Sequence, residues 1–229
     1  MKFIPGSTVA AASGSVGGCT YSRNRYGAYI RNRSVPVNPG SDQQNEVRSF
    51  LSVLVAAWTS VLTEAQREAW RTWAANTPQI DSLGQAYTMT GQNAYIKANA
   101  LQLLIGQTRI DTAPSVFAGA ALTTPVAISA TDATQVLSVG YTNTDQWAGE
   151  VGGALLVFTG RPQNASKLYF KGPYRFAGFI AGESPAPASP DPITPAFPFE
   201  VDQRVPVKFR AINADGRISA DVYTSIIAV

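Results

Sequence analysis

Residues 205–219 read VPVKFRAINADGRIS. Residues 205–212 form a run of β-branched and aromatic side chains with the period of two that marks a strand. Asp215-Gly216 supplies hairpin-turn chemistry, and residues 217–227 read as the returning strand. The same period begins near residue 112, where Leu137, Val139 and Tyr141 alternate with Val136, Ser138 and Gly140. Further strand-like runs stand at 154–158, 167–170 and 176–180. Turn residues separate them, and the number of strands is what an all-β sandwich needs. Residues 184–198, with prolines at 185, 187, 190, 192, 195 and 198, read as a long excursion between strands, functional or packed against a neighbour.

Upstream of this region the period is helical. Ser41 and Gln44 have capping-box spacing, and Val47, Phe50, Leu51, Leu54, Trp58, Val61 and Leu62 follow as one apolar stripe. A second box, Thr63 and Gln66, opens a helix carrying Ala69, Trp70, Trp73 and Ala74 that stops before Thr77-Pro78. A third begins near Thr90-Gly91, carries Tyr95, Ala98, Leu101, Leu104 and Ile105, and ends at Gly106. Three such helices can pack as a small bundle, with Trp58, Trp70 and Trp73 as core.

The first residues differ again. Residues 6–19, GSTVAAASGSVGGC, have too few large apolar groups to build a core and are expected to be extended, with the glycines letting the backbone squeeze past another chain. Tyr21, Arg23 and Arg25, then Tyr29, Arg31 and Arg33, alternate about Tyr26-Gly27 as in a two-stranded ribbon. The expected organisation is therefore an extended basic arm with a β-ribbon over 1–40, a helical domain over 41–110 and a β-sandwich domain over 111–229, an α+β chain.

Charge is placed unevenly along that plan. The chain is +3 overall, yet its first 41 residues hold Lys2, Arg23, Arg25, Arg31 and Arg33 and no acid. Residues 111–229 carry ten acids against eight bases. Charged residues are 14% of the whole, against about 25% in ordinary soluble domains, which implies that other protein covers much of the surface. No apolar run approaches the roughly 20 residues of a membrane span, so no membrane partner is expected. No hydrophobic leader follows Met1, so export by the secretory route is not expected.

The residues also bound the chemistry. There is no histidine and a single cysteine, Cys19, so neither an intrachain disulfide nor metal-ligand spacing exists, and no metal or other cofactor is expected. A serine or cysteine nucleophile has no histidine base to activate it. Gly14 to Gly18 lacks the following Gly-Lys-Ser/Thr of a phosphate loop. Asp191, Glu200 and Asp202 could form a glycosidase pair only if their separation were fixed, and solvated surface is the simpler reading. Asn213-Ala214-Asp215-Gly216 lacks the downstream acid of a calcium loop. The expectation is a chain that is not an enzyme.

Tyr21, Arg23, Arg25, Tyr26, Tyr29, Arg31 and Arg33 are the candidate binding residues. Arginines interleaved with tyrosines suit phosphates and bases, but also the carboxylates of an acidic protein partner, and the low total charge favours protein over nucleic acid.

Leu137-x-Val139-x-Tyr141, together with the residues of 207–219, resembles strands of a fibronectin type III domain, with Tyr141 where that family usually has Trp. The resemblance implies a C-terminal fibronectin III/immunoglobulin-like sandwich. Ser13-Gly14-Ser15-Val16-Gly17-Gly18, Tyr29-Ile30-Arg31-Asn32-Arg33, Leu62-Thr63-x-Ala65-Gln66-Arg67-x-Ala69-Trp70 and Gly91-Gln92-Asn93-Ala94-Tyr95 with Asn99 resemble a kind of bacteriophage and prophage structural protein. That second resemblance implies a virion component: a capsid decoration or cement protein first, a tail or neck protein next. Its partners would be other virion proteins, the major capsid protein foremost, and further copies of itself. The rival expectation is an adhesin whose loops, above all 184–198, bind carbohydrate.

Overall fold

The structure is a computed structural model that describes residues 12–24, 27–80, 85–124 and 126–229. It is mixed α+β, with antiparallel sheets before and after three α-helices. The chain divides into two compact units, Met1–Asn45 and Glu46–Val229.

In the first unit β1 (Gly14–Val16), β2 (Cys19–Asn24) and β3 (Gly27–Asn32) form a sheet in that order. The two-stranded ribbon expected from sequence therefore has a third strand. Gly17 and Gly18, read as a backbone squeezing past another chain, instead close the hairpin in which Val16 faces Cys19. Gly17 sits at φ 57°, where a side chain would be strained. The Arg33 amide donates to the Gly18 carbonyl (2.8 Å) and carries the pairing one residue past β3.

The helices are α1 (Asp42–Ser60), α2 (Glu64–Asn76) and α3 (Gly91–Leu104). The capping box of α2 forms as its spacing predicts: the Gln66 amide donates to Thr63 Oγ1, and Gln66 Oε1 accepts from the Thr63 amide (2.9 Å). Thr90 caps α3, and Gly106 stops it at φ 76°. Short strands β4 (Gln79–Ile80) and β5 (Ala86–Tyr87) pair with each other between α2 and α3.

Leu54, Ala57, Leu62, Trp70, Trp73, Ala94, Tyr95 and Ala98 make the helical core, with Trp70 and Tyr95 edge to face at 5.6 Å. Trp70 and Trp73 also donate their indole N–H groups to the carbonyls of Asp111 (3.0 Å) and Val116 (3.1 Å). These two indoles thus keep hydrogen bonds while tying down the segment after α3.

Eight strands follow: β6 (Ala127–Thr131), β7 (Val136–Gly140), β8 (Ala154–Thr159), β9 (Gln163–Asn164), β10 (Arg175–Ala181), β11 (Asp191–Ile193), β12 (Gln203–Ile212) and β13 (Val222–Ile227). One sheet runs β11-β7-β6; the other runs β10-β8-β12-β13, with β9 on β12. Leu137, Val139 and Ile193 from the first meet Leu155, Val157, Val207 and Phe209 from the second in one core, with Trp147 fully buried among them.

Several expected elements are corrected here. The proline-rich stretch 184–198 is not all loop, because β11 lies inside it. Pro192, which has no N–H to give, occupies an edge strand opposite Ser138. Tyr141 holds the preceding residues, its hydroxyl donating to the Ala188 carbonyl (3.1 Å) and its amide to Ser189 Oγ (2.9 Å). Residues 167–170, expected as a strand, are irregular. The strand after the Asp215-Gly216 turn begins at Val222 rather than 217, since Arg217 and Asp215 are held in the turn by a 2.7 Å ion pair.

The helices and sheets share a further apolar cluster. Ile105, Leu101 and Leu104 pack on Ala154, Leu156 and Ile212, the face of the larger sheet turned away from its main core. Gln102 is buried there and donates to the Asn213 carbonyl (3.0 Å), which clips α3 to the end of β12. Fully buried Asn99 accepts from the Ile110 amide (2.6 Å) and donates to the Ile110 carbonyl (3.0 Å). A Cβ on Gly91 would lie 2.8 Å from the backbone of Arg71, so only glycine allows α3 to start that close to α2.

Candidate subunit-contact surfaces

Of the seven residues expected to bind a partner, Arg25 and Tyr26 lie outside the described residues. The other five are on the N-terminal sheet or directly after it, and the register sorts them. Tyr21 pairs with Ile30 and Arg23 with Ala28, which puts Tyr21 and Arg23 on one face. Tyr29 pairs with Ser22 and Arg31 with Thr20, on the opposite face. The sheet therefore presents a tyrosine and an arginine on each side, and Arg33 follows at its end. No described residue between 12 and 45 is buried. Cys19 is a half-buried free thiol in β2 beside the Gly17-Gly18 turn.

The second surface belongs to α1, and sequence reasoning misplaced it. Val47, Phe50, Leu51, Leu54, Trp58, Val61 and Leu62 were expected to form one core stripe. Only Leu54, Ala57 and Leu62 are buried in this stretch, and Phe50 and Trp58 are partly covered. Val47 is 51% exposed, Leu51 43%, Val53 53%, Val55 42% and Val61 55%. Residues 49–63, SFLSVLVAAWTSVLT, contain no charge. The signal was present: apolar residues surround the helix instead of forming a stripe.

α2 shows the contrast. Its solvent side carries Glu64, Arg67, Glu68 and Arg71, with Arg71 Nη1 2.6 Å from Glu64 Oε1 and 2.9 Å from Glu68 Oε2. Among the described residues no single helix is long and apolar enough to cross a membrane.

The acids weighed for glycosidase chemistry are separated along the chain's path. Asp191 is on β11 opposite Val139, while Glu200 and Asp202 lie in the turn before β12. Among the described residues no group of three or more His, Cys, Asp or Glu side chains is placed to hold a metal ion. Asn213 is buried at the end of β12 with its carbonyl taken by Gln102. No family model, curated protein or solved structure matches the chain.

Proposed function

We propose that this chain is a structural component of a tailed bacteriophage virion, a capsid decoration or cement protein that works by burying surface against neighbouring subunits. The observation that carries the assembly reading is α1 with the turn after it, where Leu51, Val53, Val55 and Val61 stay uncovered along a stretch with no charge. Large exposed apolar surface marks an interaction site. The N-terminal sheet supports it, because strands with nothing buried behind them need another surface to repay their ordering entropy. Its arginines fit carboxylates of an acidic partner, with the major capsid protein and further copies of this chain as the partners assigned. The virion placement itself rests on the resemblance of the glycine-rich, Tyr/Arg and Leu62–Trp70 motifs to phage structural proteins. No catalytic role is assigned.

The projecting part is read as a fibronectin III-like sandwich. Lettered in chain order, β6, β7 and β11 take the places of strands A, B and E, and β10, β8, β12 and β13 those of C′, C, F and G. This differs from the ABED/CFG division of immunoglobulin constant domains in one strand, the fourth, which lies beside the third.

Quantitative mass spectrometry of purified particles tests the reading. The chain should be present in a copy number comparable with the capsid protein, and its absence from particles ends the proposal. Val47→Ser with Leu51→Ser and Val55→Ser should leave the fold intact and lower incorporation. Arg31→Ala with Arg33→Ala should weaken incorporation more at low salt than at high salt.

A further inference from the structure

The outer face of the β10-β8-β12-β13 sheet is divided in two. α3 covers one end through Leu101, Leu104 and Ile105. The other end is open and forms a groove of about 630 Å³ between β12, β13 and the excursion from β8 to β10. Tyr169, Tyr174, Tyr223, Phe170, Lys171 and Lys208 line it, with Gln163, Thr224 and Ser225. That volume lies in the range of ordinary ligand sites.

The electrostatics of the groove run against those of the surrounding region. Residues 111–229 have ten acids and eight bases, yet 151–182 hold Arg161, Lys167, Lys171 and Arg175 and no acid at all; of these Lys171 lines the groove, while Arg161 and Arg175 lie over the ring of Phe197. The Lys208 ammonium lies 4.2 Å from the centre of the Phe158 ring and 5.9 Å from that of Tyr174. The nearby carboxylate, Asp221, is already engaged: Arg210 donates to it twice (2.6 and 2.8 Å), the Tyr223 hydroxyl once (3.2 Å), and Lys208 Nζ lies 3.9 Å from its Oδ2. Lys171 is exposed. The groove is therefore cationic with aromatic walls.

We infer that this groove binds an acidic glycan. Apolar ring faces of sugars lie on the exposed rings of Tyr169 and Tyr223, sugar hydroxyls meet the phenol, amide and hydroxyl groups of Tyr169, Gln163, Thr224 and Ser225, and uronate carboxylates meet Lys171 and Lys208. Single-stranded nucleic acid fits less well, because it needs successive open stacking platforms. Here Phe170 and Tyr174 meet at 85° with centres 5.0 Å apart, and Tyr174 and Tyr223 at 54° and 5.7 Å, so the rings close against one another. None of the lining residues comes from 184–198, the segment expected to hold sugar in an adhesin. The assignment does not rest on a place in the virion.

Isothermal titration of the full chain with hexagalacturonate tests it. Binding is expected to weaken as salt rises from about 50 to about 500 mM. Tyr223→Ala and Tyr169→Ala should each weaken it about tenfold, and Lys171→Gln about threefold. Both Tyr169 and Lys171 are exposed, so their variants keep the fold and the comparison stays informative. Four results would overturn the inference: no binding of hexagalacturonate, binding unchanged in all three variants, equal binding of maltohexaose, or tighter binding of oligothymidylate.

Discussion

β2 and β8 are both six residues long and both pair on two sides, yet β8 buries five of its residues and the N-terminal sheet buries none of its described ones. Turn chemistry and alternation suffice to close a ladder of backbone hydrogen bonds. They do not supply a second layer. β8 has Leu137 and Val139 of the smaller sheet behind one face and Ile105 of the α3 end behind the other. Residues 12–20 are mostly Gly, Ala and Ser where such a layer would need Leu or Phe.

That comparison can be broken at its strong side first. Trp70→Ala removes a fully buried indole from the helical core and should cost about 3–5 kcal/mol, measured by denaturant unfolding. A loss under about 1 kcal/mol would mean that the core described is not cohesive. Gly91→Ala ought to stabilise an ordinary helix, but here the added Cβ meets Arg71 backbone at 2.8 Å. The expected result is a destabilisation of about 1–3 kcal/mol.

Asp221 gives a smaller, pH-dependent effect. Burial pushes its carboxyl up, but hydrogen bonds from Arg210 and the charges of Arg210 and Lys208 outweigh this and hold it below its ordinary value of 3.8. Its stabilisation is fully present above 3.8 and is lost as pH falls through the lowered value. Asp221→Asn should therefore cost about 1–2 kcal/mol at neutral pH, and less as the pH is lowered through that range. At the weak side, deletion of residues 1–34 should leave the melting temperature of the rest unchanged while abolishing incorporation into particles. A truncated chain that still assembles would show that the N-terminal sheet is not the tether.

How much of this was legible follows from the range of the forces involved. The Thr63 capping box, the Thr90 cap, the Gly106 stop and the Asp215-Gly216 turn are local, and each stands where the residues place it. β1 and β11 were missed because short edge strands of Gly, Ser and Pro are recognised by their partners, Thr20 and Ser138 among them, and not by their own side chains. Residues 167–170 have the composition of a strand, but their aromatic side chains line a groove instead. α1 defeated the period for a different reason. With Val, Leu, Ala and Trp on every side from Phe50 to Leu62, no arc stands out as the buried one. The groove could be glimpsed in the acid-free run 151–182, but only the pairing of β12 with β13 brings Lys208 and Tyr223 beside it.

The contact surface proposed over residues 49–63 has a thermal character. Screening ions have nothing to act on along residues 49–63, and acid or base within the ordinary range finds no group there to titrate. Apolar association is driven near room temperature by the entropy of released water and weakens on cooling. Whatever seats on α1 should therefore hold through a salt wash and loosen in the cold.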